Sequence, residues 1–453
     1  MDRRRVVITG LGVASGLGIG VEALWDGLLE GRSAIKPIRQ FDAAAFPLRF
    51  AGEVEEGFKI RDFVPKSYRK ATKVMCRDIE LAVAAAAKAV GDAGIRTAGS
   101  VENGDAPTYA PNRMGCQIGA GLIVAEMNEL TAAFATAREN ESSPFDLKRW
   151  GETGMQNLTP LWLLKYLPNM LACHVTIVHD CQGPSNTITC AESSGALSVG
   201  ESMRVIERGD ADLCFTGGAE SKINPLGLLR QWHTGMFADA RELNGDANDG
   251  SRVVRPFGTD ARGSAPGEGA AILLVEGADA ATKRDARVYA EIAGFGASQS
   301  SDLAAHGLQP GASGAGLAAA IRQALRDAEV EADAIDAIVP FGAGAPEYDE
   351  FEANALRTIF GDRLARIPLV TTKPNVGLTA AASSAIDLAV GALCLHHQTL
   401  PARINGESPR DGLDAGTTKS RDARLSHVLC CGSGFGGQNA AVILKRWSPS
   451  SGG

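Results

Sequence analysis

The sequence predicts an α/β protein, in which strands and helices alternate along one long chain of 453 residues. Short apolar runs of strand length alternate with longer segments of helical periodicity, which is the pattern of layered α/β architectures. Glycine supplies 53 residues, which favours tight turns and close helix–sheet contacts. A strand followed by glycines occurs at residues 5–12 and again at residues 287–296. This weak repeat predicts a duplicated unit whose second copy starts near residue 284.

The individual elements follow from the same pattern. The apolar run Val6-Val7-Ile8-Thr9 predicts the first strand, and the alanine-rich residues 80–94 predict a buried helix. Polar stretches at 97–113 and 134–155 are expected to be surface loops. Helices are also predicted at residues 21–29, 195–208, 313–328, 348–360 and 381–396, and strands at 212–216, 270–275, 287–295, 336–340, 368–371 and 427–431. The predicted units are residues 1–283, residues 284–446 and a disordered tail at 447–453.

Composition and charge exclude several classes of protein. Hydrophobic residues make up 45% of the chain, enough for a sizeable core, and the formal net charge is −8, so a clustered basic nucleic-acid surface is not expected. No apolar stretch approaches the ~20 residues that a membrane-spanning helix needs, and the N-terminus lacks the apolar centre of a signal peptide. Nine cysteines without C-x-x-C spacing favour reduced thiols in a cytoplasmic protein that binds no metal.

Two glycine patterns resemble dinucleotide-binding loops but lack the context that such loops need. Gly10-Leu11-Gly12 follows a strand, yet no acidic residue follows at the expected distance. Residues 432–437 read G-S-G-F-G-G, but a strand-like run at 440–444 follows where a helix should begin. Both patterns are interpreted as glycine turns, and no nucleotide cofactor is expected.

The informative segment is residues 183–195, in which a short strand runs through small residues into a helix. A side chain at such a turn faces a pocket at a helix N-terminus. There the backbone N–H groups and the helix dipole stabilise a thiolate or an oxyanion. A nucleophilic enzyme would place Cys or Ser at the turn, so this segment is the candidate active site.

From about residue 4 to about residue 445 the sequence resembles the 3-oxoacyl-(acyl-carrier-protein) synthases of the thiolase fold. The stretches that carry the resemblance agree in order and spacing, and they are residues 6–12, 41–54, 183–185, 209–221, 255–262, 372–373 and 434–439. The resemblance implies a five-layered α-β-α-β-α fold with duplicated halves, each containing a mixed five-stranded sheet. It also implies an acyl carrier protein as partner, which brings the substrate on its phosphopantetheine arm, with no cofactor bound to the chain itself.

The catalytic positions depart from the family pattern. The nucleophilic cysteine of the family falls on Glu192, the first active-site histidine on Phe341 and the second on Leu378, while Ser433 takes the aromatic gate position before Phe435. Condensation needs a thiolate that carries the acyl chain and imidazole donors that stabilise an enolate. Phe341 and Leu378 donate no hydrogen bond, and Glu192 is a poor nucleophile towards a thioester. At a helix N-terminus the Glu192 carboxylate is expected to be ionised.

Other residues of the family pattern are kept. Lys373 and Glu352 match the charged pair that usually supports the histidines, and Asp349 is present as well. One hypothesis places Lys373 in an ion pair with Glu192, which would compensate a buried charge that is otherwise costly. In the alternative, Lys373 only braces Glu352.

Residues 344–353 resemble the P-E-x-D-x-x-E-A run of chain length factors, the inactive members of ketosynthase heterodimers in type II polyketide synthesis. The leading hypothesis is therefore a non-condensing subunit that acts with an active 3-oxoacyl synthase in fatty-acid or polyketide chain elongation. The alternatives are a malonyl-carrier-protein decarboxylase, an enzyme that uses Glu192 as base or covalent carboxylate, and a homodimeric acyl-binding protein.

Contacts with partners are predicted only coarsely. Residues 134–165 contain Trp150 and Trp162 and are expected to reach towards a second subunit, either an intact ketosynthase or a second copy of this chain. The same composition also fits an ordinary flap over the core. Carrier-protein docking is assigned to the basic residues Lys66, Arg69, Lys70 and Arg204.

Overall fold

The computed structural model describes residues 3–100, 105–243, 249–300 and 311–449. Its strands are β1 (Val6–Ser15), β2 (Gly18–Ile19), β3 (Ile35–Pro37), β4 (Phe50–Gly52), β5 (Met114–Gly119), β6 (Ser185–Ile188), β7 (Leu213–Glu220), β8 (Gly269–Gly277), β9 (Ala290–Gln299), β10 (Ala337–Val339), β11 (Thr399–Leu400), β12 (Arg421–Asp422), β13 (His427–Ser433) and β14 (Gln438–Lys445).

Its helices are α1 (Val21–Leu29), α2 (Arg77–Ala93), α3 (Met127–Thr136), α4 (Leu147–Glu152), α5 (Met170–His179), α6 (Ser194–Glu207), α7 (Pro225–Trp232), α8 (Ala278–Lys283), α9 (Ala315–Asp327), α10 (Pro346–Phe360), α11 (Lys373–Val376) and α12 (Ser383–His397). Short 3₁₀ turns connect several of them, and two of these turns, at Ala191–Ser193 and Ala380–Ala382, lead into α6 and α12.

The large strands form one continuous hydrogen-bonded path in the order β10-β13-β14-β9-β1-β8-β7-β5-β6. Five of these strands come from the first half of the chain and four from the second. The two sets meet where Val6–Ile8 of β1 pairs antiparallel with residues 290–292 of β9. The strand expected at 368–371 does not form, because Leu369 makes only an isolated bridge with Ile338. The α/β class is confirmed, although the two predicted five-stranded sheets are joined and the second has one strand fewer.

Helices cover both faces of the two strand sets and also separate them. α2 and α5 pack on the outer face of the first set, whereas α9 and α10 pack beside the second. α6 and α12 lie between the sets and contact strands of both. Helix α2 packs so close to strand β1 that a Cβ on Gly12 would lie 1.9 Å from the carbonyl oxygen of Ala85 in α2. The five layers that the resemblance implied are therefore present.

The two central helices begin in the same way. Ala191 (φ 49°) is the first residue of the turn into α6, and Ala380 (φ 47°) is the first residue of the turn into α12. Both alanines have left-handed backbone, which costs a residue with a Cβ about 1 kcal/mol. Two strained elbows at the starts of the two central helices are the structural counterpart of the predicted duplication, although the domain boundary near residue 284 stays a prediction.

Two of the predicted surface segments differ from a simple loop or lie partly outside the described residues. The segment 134–155 contains the end of α3 and all of α4, and its Trp150 packs against Phe134 and Phe145. The three rings of this flap therefore pack against one another, while Phe145 stays 41% exposed. Residues 101–104 of the other segment and residues 450–453 of the tail lie outside the described residues. Within the part of the chain that is described, no helix is long and apolar enough to span a membrane.

Candidate functional site

Glu192 lies at the elbow between β6 and α6, where the sequence predicted the active-site side chain. It is buried, with 5% of its surface exposed. Its Oε2 accepts a hydrogen bond from the backbone N–H of Phe435 at 2.8 Å, and its carbonyl oxygen accepts one from the hydroxyl of Ser384 in α12 at 2.8 Å. The elbow of the first half is thus tied to the glycine turn after β13 and to the central helix of the second half.

The electrostatic state of Glu192 differs from the expectation. Burial raises the pKa of Glu192 to about 7, against the lowering effect of the Phe435 N–H; Glu220 raises this pKa further and Lys222 lowers it. The prediction that the helix N-terminus would keep the carboxylate ionised was wrong. The reason is that desolvation of the buried carboxyl group outweighs its hydrogen bonds with the backbone N–H groups of Phe435 and of Glu192 itself, and the dipole of the helix. Near neutral pH, a large fraction of Glu192 carries its proton.

The space beside Glu192 is filled by apolar side chains. Phe341 and Leu378, which stand where the family has histidines, are each 1% exposed. They belong to one hydrophobic cluster with Tyr348 of α10, and Phe435 packs at its edge. The ring of Tyr348 meets that of Phe341 edge-on with centroids 6.1 Å apart. The side chains at the two histidine positions have no hydrogen-bond donor, as the sequence predicted.

Glu352 and Asp349 hold the loop that carries Phe341. The two carboxyl oxygens of Glu352 accept the backbone N–H groups of Phe341 and Gly342, each at 2.8 Å. Asp349 accepts from the N–H of Phe257 at 2.7 Å and of Gly344 at 3.1 Å. Burial raises the pKa of Glu352 to about 7 and that of Asp349 to about 8. Both carboxyl groups therefore hold the backbone of the loop in place through hydrogen bonds with its N–H groups.

Lys373 forms an ion pair with neither Glu192 nor Glu352, the two carboxylates considered from the sequence. Its ammonium forms an ion pair with Asp387 of α12, and Thr372 Oγ1 donates to the other oxygen of the same carboxylate at 2.6 Å. Lys373 also lies over the ring of Phe341 at 5.5 Å. The hypothesis of a Lys373–Glu192 ion pair was therefore wrong. Lys373 forms no ion pair with Glu352 within the described residues either, although its charge lowers the pKa of that carboxyl group against the larger, raising effect of burial. Asp387 lies 14 residues further along, at a helical position that the sequence pattern did not mark as polar and buried.

Ser433 does not face Glu192. Its hydroxyl donates to Oδ1 of Asn439 at 3.0 Å, across the antiparallel pair β13–β14. Phe435 contributes its backbone N–H to Glu192 and its ring to the apolar cluster. The turn around these residues runs directly into β14, so its interpretation as a glycine turn agrees with the structure.

Sequence reasoning missed a second buried group of charges near Glu192. Lys222 forms an ion pair with Glu220 and lies 3.9 Å from Asp78 of α2. Glu220 also accepts the backbone N–H of Ala381, in the elbow before α12, at 2.8 Å. Burial raises the pKa of Asp78 to about 7. Asp78 lies more than 140 residues from Glu220 and Lys222 in the chain, so nothing in the sequence indicated that these charges meet.

The docking residues predicted for a carrier protein fall into two groups. Lys66, Arg69 and Lys70 are exposed, as docking requires. Arg204 is not available in the same way, because its guanidinium is bound to Glu207 at 2.8 Å and to Asp327 at 2.7 Å. It also lies near the C-terminal end of α6, whereas the elbow with Glu192 is at the opposite end. These contacts make Arg204 a weaker candidate than the three exposed residues, and the docking assignment stays a prediction.

Fold and site together define a ketosynthase-type scaffold whose nucleophile and imidazole positions hold a buried carboxyl group and two apolar side chains. Family models agree with this class: "Beta-ketoacyl synthase, N-terminal domain" matches residues 3–281, and "Beta-ketoacyl synthase, C-terminal domain" matches residues 289–407. The chain belongs to the beta-ketoacyl synthase family.

Relatives match over nearly the whole chain. A 3-oxoacyl-[acyl-carrier-protein] synthase 2 of Coxiella burnetii is 33% identical over 98% of this chain and 99% of its own. The granaticin polyketide putative beta-ketoacyl synthase 1 of Streptomyces violaceoruber is 30% identical over 98% of each chain. Among solved structures, the ishigamide ketosynthase/chain length factor is 29% identical with a TM-score of 0.80, and covers 99% of this chain and 100% of its own.

A second solved structure shows the fold alone, since it is 23% identical with a TM-score of 0.82. It covers 99% of this chain and 100% of its own, and it is a type II polyketide ketosynthase in complex with its acyl carrier protein. The chain therefore shares its architecture with ketosynthases of both fatty-acid and polyketide synthesis.

Proposed function

We propose that this chain is a non-condensing subunit of the chain length factor type, which acts together with an intact 3-oxoacyl-carrier-protein synthase. One observation carries the proposal: Glu192, Phe341 and Leu378 occupy the three positions at which a condensing enzyme needs a thiol and two imidazoles. Glu192 offers no thiolate for an acyl chain. Phe341 and Leu378, both buried, stabilise no enolate.

A partner is supported by the surface around β6. β6 is the last strand of the sheet path, and its first two residues are exposed. α5 packs beside it, and large apolar side chains are exposed there and on the neighbouring segments: Leu122, Leu161, Leu163 and Ile177, between 58% and 67% exposed. An unpaired edge strand beside exposed leucines favours association with another subunit. The resemblance to a ketosynthase/chain length factor pair supports an intact ketosynthase as that subunit.

An acyl carrier protein would be the second partner in this proposal. The exposed cations Lys66, Arg69 and Lys70 remain candidates for its docking, and the carrier would deliver the chain on its phosphopantetheine arm. The carrier protein would dock on the complex of the two subunits, and its interaction would need no thiol of this chain.

The test is a reconstitution followed by mass spectrometry of intact carrier proteins. The purified chain alone, supplied with malonyl- and acyl-carrier proteins, is expected to form neither acetyl- nor 3-oxoacyl-carrier protein. Co-expressed with the intact synthase of the same organism, it is expected to co-purify and to change the distribution of product lengths. A Glu192→Cys variant of the isolated chain should stay inactive, because both imidazoles are still missing. Condensation by the isolated chain would overturn the proposal.

The raised pKa of Glu192 favours one second candidate, in which Glu192 is an acid–base group of an enzyme. A buried carboxyl group whose pKa lies near neutral pH is suited to proton transfer, and Glu192 is not neutralised by Lys373. If the isolated chain decarboxylates malonyl-carrier protein and Glu192→Ala abolishes this, the second candidate replaces the first.

A further inference from the structure

The side chain of Tyr68 connects a basic turn on the surface to helix α5. Its hydroxyl group forms a hydrogen bond with Nδ1 of His174 at 2.8 Å, and the two rings meet edge-on with centroids 5.9 Å apart. Tyr68 ends a 3₁₀ turn, whereas His174 lies 106 residues further along the chain, in α5, and is only 3% exposed. The hydrogen bond therefore joins a surface turn to a buried position on a helix.

The turn that carries Tyr68 belongs to a segment rich in exposed cations, here called the basic segment. It comprises residues 66–73, and its exposed cations are Lys66, Arg69, Lys70 and Lys73. None of these cations forms an ion pair within the part of the chain that the structure describes. Positive charge that is not compensated on the surface suits an acidic protein partner.

The bond between Tyr68 and His174 anchors this segment to the rest of the protein. Among the described residues, residues 66–70 form no other hydrogen bond or ion pair with a residue outside 65–74. The ring of Tyr68 also packs, partly buried, against the hydrophobic core cluster that contains Leu171 and Val175 of α5. A segment with so few attachments gains conformational freedom when its hydrogen bond is removed, and a partner that binds it must then order it again.

We infer that Tyr68 and His174 are positioning residues, whose hydrogen bond holds the basic segment on α5 in the conformation that docks an acidic carrier protein. The identity of this partner rests on the proposed function. Burial lowers the pKa of His174 and so favours its neutral ring. The cations supply the attraction, which salt screens. The neutral pair lowers the entropic cost of docking, and its contribution should not depend on salt.

A second pair of the same chemistry lies on α5 and provides a matched control. Thr97 Oγ1 forms a hydrogen bond with Nδ1 of His179 at 2.7 Å, and His179 is 2% exposed. Each of the two histidines has an Nε2 without a hydrogen-bond partner among the described residues. Thr97 follows α2 and lies outside the basic segment. Loss of its hydroxyl group should therefore lower stability but leave the basic segment in place.

The test measures binding of the holo-acyl carrier protein of the same organism to the purified full-length chain by biolayer interferometry. Tyr68→Phe keeps the ring and removes the hydroxyl group, and it should raise the Kd about three- to tenfold, as loss of one hydrogen bond implies. His174→Leu should have a similar effect. The double variant should bind no more weakly than either single variant, because the same bond is lost in all of them.

Two control variants separate positioning from stability and from charge. Thr97→Val should keep the Kd within about twofold of the native value, even where its melting temperature falls as far as that of Tyr68→Phe. Lys70→Ala should weaken binding and also reduce the dependence of the Kd on salt, because a charge is lost. Tyr68→Phe should leave that salt dependence unchanged.

Three results would overturn the inference. An unchanged Kd in Tyr68→Phe, while Lys70→Ala weakens binding, would exclude the positioning role but keep the docking segment. Equal losses of affinity in Tyr68→Phe and Thr97→Val would assign the effect to general destabilisation. Absence of binding by the native chain would exclude docking on this segment. Condensation by the isolated chain, or failure to co-purify with an intact ketosynthase, would overturn the proposed function and leave these affinities unaffected, so the two failures are distinguishable.

Discussion

Single residues set the protonation state of this site. Glu192, Glu352, Asp349 and Asp78 are all buried, and burial raises the pKa of each carboxyl group to between about 7 and about 8. A carboxyl group whose pKa is higher in the folded than in the unfolded chain binds more protons when folded. Its contribution to stability is therefore present at lower pH and is lost as the pH rises through the folded pKa.

Glu192→Gln is expected to stabilise the chain more at pH 8 than at pH 5.5. At pH 8 the native carboxyl group must either ionise in an apolar site or stay protonated above its pKa, and both cost free energy. Glutamine does not titrate and avoids this cost. The gain at pH 8 should exceed the gain at pH 5.5 by on the order of 2 kcal/mol, because burial raises the pKa of Glu192 from its ordinary value of 4.5 to about 7. Urea denaturation at the two pH values measures it. The exposed Glu347→Gln serves as the control, and an equal gain at both pH values would contradict the prediction.

The ion pair of Lys373 with Asp387 gives a second prediction at this scale. Lys373→Met leaves a buried carboxylate without its cation and should cost about 3–5 kcal/mol, and Asp387→Leu should cost a similar amount. The double variant should recover much of this loss, since neither charge is then left alone. A double-mutant cycle by urea denaturation measures the coupling. Strong coupling of Lys373 with Glu192 in place of Asp387 would restore the hypothesis that the structure rejects.

At the scale of elements, the elbow before α6 depends on a strained backbone. Ala191 has a φ of 49°, a conformation that glycine adopts without steric cost. Ala191→Gly should therefore be neutral or slightly stabilising, whereas Ala191→Val should destabilise the chain by about 2 kcal/mol or more. Ala196→Gly, inside α6, is the matched control and should cost about 1 kcal/mol. Thermal unfolding compares the three, and equal losses in both glycine variants would exclude strain at the elbow.

The elements themselves were largely predictable from sequence, and their contacts were not. The apolar periodicity of residues 80–94 and 381–396 predicted α2 and α12 within a few residues, because the hydrophobic pattern of a buried helix lies within the helix's own sequence. The run at 368–371 has the composition of a strand but makes only two isolated bridges, from Pro368 and Leu369. Strand pairing depends on neighbours that are distant in the chain, so composition alone does not predict it.

The same limit explains the errors in the site. The position of Glu192 followed from motifs along the chain, but its pKa depends on burial and on groups from other segments, among them Phe435 and Glu220. The partner of Lys373 was wrongly assigned for a related reason: Asp387 lies on the face of α12 that is buried, where a lone acidic residue looks like an exception in an apolar helix. The electrostatic interactions between residues distant in the chain are the part of the site that could not be predicted from the sequence.

For the molecule as a whole, β6 is the edge at which another subunit would extend the sheet. The N–H of Cys116 donates to the carbonyl of Pro184, and the N–H of Ala120 donates to the carbonyl of Ile188. Since parallel pairing uses alternate residues, the backbone of Thr187 faces away from β5. Its N–H bonds to the side chain of Asn186 in the isolated chain. This backbone is free to pair with a strand of a partner.

Thr187→Pro is therefore expected to block pairing with a partner strand while it leaves the β5–β6 ladder intact. Proline removes the outward N–H and is tolerated on edge strands, so the melting temperature of the isolated chain should change little. Co-purification with the intact ketosynthase should fall at least tenfold. Asn186→Pro is the control that breaks the inner ladder and should lower the melting temperature as well. If Thr187→Pro keeps full association, the subunits meet through the exposed leucines and not through β6, because no backbone pairing would then be needed for the complex to hold.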